Sequence, residues 1–230
     1  KQQEVTFLPL NDFDAFEKAI ESDAHCAVII EAIQGVGGLD EPTSEFFRFI
    51  AEKCKEHNIV LIADEVQSGY GRSGKFFAFQ HHGIEPDIIS IAKGMGNGFP
   101  VGGILIHEKF KPSYGLLGTT FGGNHLACAA SLAVLEVLEK ENLTENAAQL
   151  GSYFKEKATE IPEIKKVKGK GLMIGLEFDF EVADLRKKMI MEQHMFTGSA
   201  KNKKLLRFLP ALNITKKDID LFFEALKKAL

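Results

Sequence analysis

Tryptophan is absent and tyrosine nearly so, at 3 residues, while phenylalanine reaches 19. The interior must therefore be filled by aliphatic and phenyl groups. Cysteine is equally scarce. Cys26, Cys54 and Cys128 are odd in number and show no metal-ligand spacing, which argues against a disulfide framework and a zinc site. Their apolar contexts read as core thiols of a reducing compartment. No basic block exceeds a few residues and the net charge is -4, so a nucleic-acid binder is disfavoured. No apolar run approaches membrane-spanning length and no signal peptide is visible. The expected location is the cytoplasm. Methionine is missing from the first position, and the chain enters a buried strand within thirty residues. It reads as the later part of a longer protein.

What is present is enough for a core. Of the 230 residues, 45% are apolar and 26% charged, a globular composition that fits one large domain or two small ones. Asn11 is placed to cap a helix whose Phe13, Phe16 and Ile20 share one face. The run Ala27 to Ile33 is short, apolar and rich in β-branched residues, the pattern of an interior parallel strand. Thr43 or Ser44 opens a helix with Phe46, Ile50 and Cys54 inward, and Asn58 closes it. Ile59 to Ala63 and Ile88 to Ile91 are further buried strands, and Gly102 to His107 a fourth. Strands alternating with helices predict an α/β domain with a largely parallel sheet.

A loop from Gly118 to Asn124 leads into a long helix that ends near Asn142. The domain boundary is placed there, giving units 1–143 and 144–230. In the second, Thr144 starts a helix, Leu172 to Phe178 is a strand, and 182–192 is helical. Met195 to Gly198 and Leu205 to Leu209 are short strands. Thr215 with Asp218 caps the last helix. The C-terminal unit is thus a small α+β domain.

In parallel sheets, ligands bind beyond the carboxyl ends of the strands. Glu31, Asp64 and Lys93 stand at or near such ends on three successive strands. Each alone has an ordinary structural explanation: a cap, a turn, a strand-end lysine reaching water. Together they make a candidate site. Lys93 closes a buried strand, where its ammonium loses hydration; a lysine kept partly neutral is a nucleophile toward an aldehyde. A carboxylate such as Asp64 suits a protonated pyridine nitrogen, which turns pyridoxal phosphate into an electron sink. The Gly118–Asn124 loop supplies backbone N–H groups, hydroxyls and a helix N-terminus for a phosphate.

Four segments carry a resemblance. They are Glu31-Ala-Ile-Gln-Gly, Asp64-Glu-Val-Gln-Ser-Gly-Tyr-Gly-Arg-Ser-Gly, Ile91-Ala-Lys-Gly-Met-Gly-Asn-Gly-Phe-Pro-Val-Gly-Gly and Thr119-Thr-Phe-Gly-Gly-Asn-His-Leu-Ala-Cys-Ala-Ala. In this order they resemble the motif set of the class III, fold type I aminotransferases, with the greatest likeness to the branch acting on acetylornithine or succinylornithine. The likeness extends from about Phe7 to the end of the chain.

The resemblance implies the fold: part of a large, mostly parallel pyridoxal-phosphate domain in 1–143, and a small C-terminal domain in 144–230. It also implies roles. Lys93 carries the cofactor and moves the proton, and Asp64 holds the pyridinium nitrogen. Val66 packs on the ring and Gln67 bonds its phenolic oxygen. Thr120 reaches the phosphate in the partner subunit of a homodimer. Arg207 grips a substrate carboxylate, a task suited to a planar bidentate donor, and Glu31 belongs to the substrate side of the site. The implied reaction takes the ω-amine of an N-acylornithine-type donor to 2-oxoglutarate, in arginine biosynthesis. Ornithine, lysine or 4-aminobutyrate donors are alternatives within the class.

Two departures stand out. Most relatives carry a second glutamate in the first motif, which can cover the substrate-binding arginine; here that position is Val36. Relatives are also roughly twice this length, as two-domain enzymes often are, and the glycine-rich phosphate turn and the ring-stacking aromatic belong to their first half. An inactive fragment, or one piece of an assembly, is therefore a competing reading. Ser90-Ile-Ala-Lys93 also fits the Ser-x-x-Lys pattern of penicillin-recognising enzymes. No Lys-Thr-Gly or Ser-Asp-Asn follows and the serine lies within a strand, so that reading is rejected.

Overall fold

The computed structural model describes residues 5–21, 25–116 and 118–230. The first helix, α1 (Phe13–Ile20), is capped by Asp12, whose side chain accepts from the Ala15 N–H at 2.9 Å. Asn11, expected as the cap, instead has a left-handed backbone and ties the neighbouring loop, accepting from the Thr43 N–H and donating to the Glu41 carbonyl. One residue of register separates the two outcomes, and aspartate at the second position wins the cap. Strand β1 (Ala27–Ile30) follows, then α2 (Ser44–Glu56), capped by Thr43. Phe46, Phe47, Ile50 and Cys54 are buried on one face of α2. Its Phe46 and Phe49 meet Phe13 and Phe16 of α1 in a four-ring cluster with centroids 5.0–6.2 Å apart, the phenyl packing that a tryptophan-free chain requires. Asn58, in left-handed backbone, turns the chain out of the helix.

Strands β2 (Val60–Asp64), β3 (Ile88–Ile91) and β4 (Gly103–Ile106) complete a four-stranded sheet in the order β1-β2-β3-β4. The first three run parallel and β4 is antiparallel to β3. Leu61 and Ala63 point into the core beneath α2, while Val60, Ile62 and Asp64 point to the opposite, more open face. A helix, α3 (His125–Lys140), capped by Asn124, then leads into α4 (Leu143–Ala158).

The second sheet is antiparallel. Its strands are β5 (Lys166–Lys170), β6 (Met173–Glu177), β7 (Gly198–Ser199) and β8 (Leu205–Phe208), in the order β5-β6-β8-β7. Helix α5 (Ala183–Met191) joins β6 to β7, and α6 (Lys216–Ala229) closes the chain behind the capping box of Thr215 and Asp218. The strand expected over Met195 to Gly198 is reduced to its end: only Gly198 and Ser199 pair, with Arg207 and Leu206. β5 was not apparent from the sequence, because its lysines at 166, 168 and 170 mask the period of two. They share one face, where Lys168 pairs with Asp40 and Glu177, and Lys170 with Glu41. One face of this sheet packs on α4 and α6; from the other, Met173 and Leu205 join the core beneath the first sheet. No helix among the described residues is long and apolar enough to cross a membrane.

Of the three cysteines only Cys54 is a core thiol, pushed up to about 12 by burial; Cys26 and Cys128 are exposed. A histidine occupies the core instead. His82 is buried against the Phe47 ring, 5.1 Å between centroids, with Nδ1 3.1 Å from the Ser44 hydroxyl. Burial lowers it to about 4 from 6.5. The unfolded chain therefore binds a proton that the folded chain refuses, and stability falls as pH drops from 6.5 toward 4. The expected loss at pH 5 relative to pH 7.5 is about 2 kcal/mol from this group. Urea unfolding at both pH values measures it, and His82→Gln is expected to flatten the difference. An equal pH slope in the variant would remove His82 as the cause.

Candidate active site

The parallel order β1-β2-β3 brings the carboxyl ends of three strands to one edge. Asp64 is the last residue of β2, opposite Ser90 of β3, and Glu31 lies one residue beyond the Ile30–Ala63 pair. Lys93 lies two residues past the end of β3. Glu31 and Asp64 both line a cavity of about 490 Å³, together with Ile29 and Gln34. Lys93 stands outside that cavity.

Asp64 is half-buried and locked by its Oδ1, which accepts from the Val66 N–H at 3.0 Å and the Ser90 hydroxyl at 3.0 Å. No hydrogen bond among the described residues uses its Oδ2. Lys93 opens a short 3-10 turn, Lys93–Met95, with a φ of 45°, a left-handed conformation that costs a lysine about 1 kcal/mol or more. The turn lifts it off the sheet: Lys93 is exposed, and its ammonium has no hydrogen bond or ion pair among the described residues. The expectation of a desolvated lysine at a strand end is therefore corrected. The strand ends at Ile91, and the tight turn carries the side chain outward. Gly96 makes the turn possible, since a Cβ there would lie 2.4 Å from the Phe99 carbonyl oxygen.

Residues 65–79 form the loop that holds Val66 and Gln67. Its anchor is Glu65, 1% exposed, whose carboxylate accepts from the Ser68 hydroxyl (2.7 Å), the Ala78 N–H (2.9 Å) and the Phe79 N–H (2.8 Å). Burial holds this carboxyl above the usual carboxylate range, even against the downward pull of the three donors. Arg72 pins the same loop to the second sheet by donating to the carbonyls of Leu172 and Pro210. Its own burial lowers it to about 10.

Arg207 reaches this edge from β8. Its two neighbours across the sheet are Gly175 and Gly198, so no side chain flanks it. A Cβ on Gly198 would meet its Nε at 3.4 Å. The Arg207 Nη1 donates to the Gly35 carbonyl at 3.0 Å and to Gln67 Oε1 at 3.1 Å, while Nε is buried without a partner. Glu31 completes the network by accepting the Gly35 N–H at 2.8 Å. Glu31, Gln67 and Arg207 are thus brought together, with Asp64 joined to them along the Asp64–Val66–Gln67 backbone. Thr120 touches none of them. It is exposed in the loop before α3, where Thr119 and Asn124 make the local hydrogen bonds. Val36 is 63% exposed, and no carboxylate pairs with Arg207 among the described residues.

Several participants were not apparent from the sequence. Ser90, weighed and rejected as a Ser-x-x-Lys nucleophile, has no sequence signal for the role the β2–β3 register gives it, with its hydroxyl on Asp64. Glu65 was passed over inside its motif; the available signal was a charge immediately after an apolar strand. Gly198 carries no local signal, and the motif that contains Gly35 does not show why that position is glycine, because what requires each lies far along the chain.

Comparison with known proteins places this geometry. The chain is 42% identical over 226 residues to the acetylornithine aminotransferase of Methanocaldococcus jannaschii, covering 96% of this chain and 56% of that protein. It is 40% identical over 230 residues to the ornithine aminotransferase of an Exiguobacterium species, covering 97% of this chain and 56% of the relative. Among solved structures, Plasmodium falciparum ornithine delta-aminotransferase superposes with a TM-score of 0.87 at 36% identity, over 96% of this chain and 60% of that one. The chain spans a little over half the length of the curated relatives it matches. The model of the family described as aminotransferase class-III matches residues 2–230. The fold is that of pyridoxal-phosphate-dependent aminotransferases, and the chain belongs to the class III aminotransferase family, whose cofactor is pyridoxal 5'-phosphate.

Proposed function

We propose that the complete protein is an aminotransferase that moves the ω-amine of an N-acylornithine-type donor to 2-oxoglutarate, in arginine biosynthesis. The observation that carries this reading is the shared strand edge of Asp64 and Lys93, with the Gln67–Arg207 pair beside it. The acetylornithine aminotransferases among its relatives support the donor.

The residues present fit the cofactor. Among the described residues, Asp64 keeps one carboxylate oxygen free of protein donors, and Lys93 keeps its amine free of acids. Pyridoxal phosphate, when bound, supplies an aldehyde for amine exchange and a cationic ring that draws electrons from the substrate carbon. Asp64 holds a proton on the ring nitrogen by its charge, with Ser90 and the Val66 N–H fixing its carboxylate plane. Val66 packs against the ring. Gln67 gives its carbonyl oxygen to Arg207 and so has its NH₂ left to donate to the ring's phenolic oxygen. Lys93 Nζ takes a proton from the substrate carbon and returns it. Arg207 receives the substrate carboxylate, and Thr120 serves the phosphate across a homodimer interface. Residues 1–143 belong to the cofactor domain and 144–230 to the small domain. Exposed, unpaired Cys26 and Cys128 fit a reducing compartment such as the cytoplasm.

A second reading, ornithine itself as donor, is favoured by the Exiguobacterium relative. The experiment is a donor panel of N-acetylornithine, N-succinylornithine, ornithine, lysine and 4-aminobutyrate with 2-oxoglutarate, reading glutamate formation. The acylated ornithines are expected to give the highest kcat/KM. A higher value for free ornithine would select the second reading, and no glutamate from any donor would reject both.

A further inference from the structure

With Gln67 held against Arg207, position 35 has no room for a side chain: a Cβ there would lie 2.2 Å from Gln67 Oε1. Glycine is also the residue least able to hold its own backbone, since it has the most conformational freedom to lose. Yet the Gly35 carbonyl must stay fixed to hold Arg207. The neighbouring turn is closed by Leu39 N–H to the Gln34 carbonyl and Gln34 N–H to the Asp40 carbonyl, both 2.9 Å, and neither bond restrains Gly35 itself. The restraint comes from Glu31, which holds the Gly35 N–H at 2.8 Å. Glu31 forms no ion pair with Arg207, although both act on the same residue.

The consequence falls on the guanidinium. With the Gly35 carbonyl and Gln67 Oε1 both in place, the two Nη1 hydrogens of Arg207 are used. The buried Nε has no partner and Nη2 has none among the described residues. Nε is enclosed by the chain's own atoms, which leaves Nη2 as the guanidinium nitrogen open to a charge-assisted hydrogen bond to a carboxylate. We infer that Glu31 is a positioning residue: through Gly35 it fixes Arg207 so that Nη2, not Nη1, receives the substrate carboxylate. This rests on the reading of Arg207 as the carboxylate-binding group. Glu31 itself touches no substrate, and Gln67 keeps its bond to Arg207 while substrate is bound.

The test is a titration of the protein with succinate, a dicarboxylate that cannot react, followed by ¹⁵N NMR of the Arg207 Nε–H, assigned by its loss in Arg207→Lys. In the unsubstituted protein this signal shifts and saturates. Glu31→Ala is expected to weaken succinate about tenfold, as loss of preorganisation does. Glu31→Gln, whose amide oxygen can accept the same N–H, is expected to restore affinity to within about twofold of the unsubstituted protein. Glu31→Asp keeps the charge but is one methylene short, and is expected to behave like alanine; it decides the matter should Glu31→Ala not fold. Unchanged affinity in Glu31→Ala, or a Gln variant as weak as Ala beside an Asp variant at full affinity, overturns the positioning role in favour of no role or of charge. A silent Arg207 signal in the unsubstituted protein overturns the carboxylate reading of Arg207 itself.

Discussion

Lys93→Ala is expected to abolish amine transfer, by at least about 10⁴-fold, because the substitution removes both the amine that reacts with an aldehyde and the proton carrier. Folding is expected to be unchanged. Lys93 is exposed and has no ion pair or hydrogen-bond partner among the described residues, so nothing in the packing is lost. Its φ of 45° offers a control. Alanine inherits the same left-handed strain, whereas Lys93→Gly relieves it, by up to about 1 kcal/mol. Both variants should be equally inactive, although glycine should melt no lower than alanine. The direct measurement is mass spectrometry after borohydride treatment with pyridoxal phosphate. The unsubstituted protein gains one phosphopyridoxyl mass on the peptide holding residue 93, and neither variant does. Covalent gain at another lysine, with turnover retained in Lys93→Ala, would falsify the assignment.

Glu65→Ala is expected to cost about 3–5 kcal/mol of stability, the range for breaking a buried, hydrogen-bonded charged group. Three donors lose their acceptor at once: the Ser68 hydroxyl and the N–H groups of Ala78 and Phe79. Water cannot readily replace it, since Ser68, Ala78 and Phe79 are themselves buried. Glu65→Gln keeps one acceptor oxygen and is expected to cost less, about 1–2 kcal/mol. Urea unfolding curves give both numbers. A loss under 1 kcal/mol for alanine would mean that the loop holds itself without this carboxylate. Because Val66 and Gln67 ride on that loop, the alanine variant should also bind cofactor more weakly. The same effect in Glu65→Gln should track its smaller stability loss.

Local pattern carried the first sheet. The β-branched runs at 27–33, 59–63 and 88–91 cover β1, all of β2 but its final Asp64, and β3, because a parallel strand packed on both faces needs apolar side chains on both. β5 escaped because lysines with acidic partners occupy one of its faces. Helix α3 reads as apolar on every side, yet Leu126, Leu132, Leu135 and Val137 are exposed and only Ala127, Ser131 and Leu138 are buried. Composition does not say which face meets the core. At the site, the placing of Glu31, Asp64 and Lys93 at or near neighbouring strand ends follows from the strand pattern, while Val66, Gln67, Thr120 and Arg207 enter as candidates by motif resemblance alone. The links between them were not. Arg207 finds the Gly35 carbonyl across 172 residues of chain, a contact fixed by how the two sheets pack. Lys93 was misjudged as desolvated because the turn beginning at it redirects the side chain.

The open face of the first sheet has a consequence for handling. Ile29, Ile62, Ile88 and Ile106 lie in register across all four strands, and Ile29, Ile104 and Ile106 are 64%, 48% and 44% exposed. A row of such residues wets poorly, and contact with any similar surface relieves it. The behaviour of this 230-residue chain on its own in solution should therefore depend on concentration before it depends on temperature. Dilute samples should stay dispersed, while crowded ones adhere through this row with their folds intact.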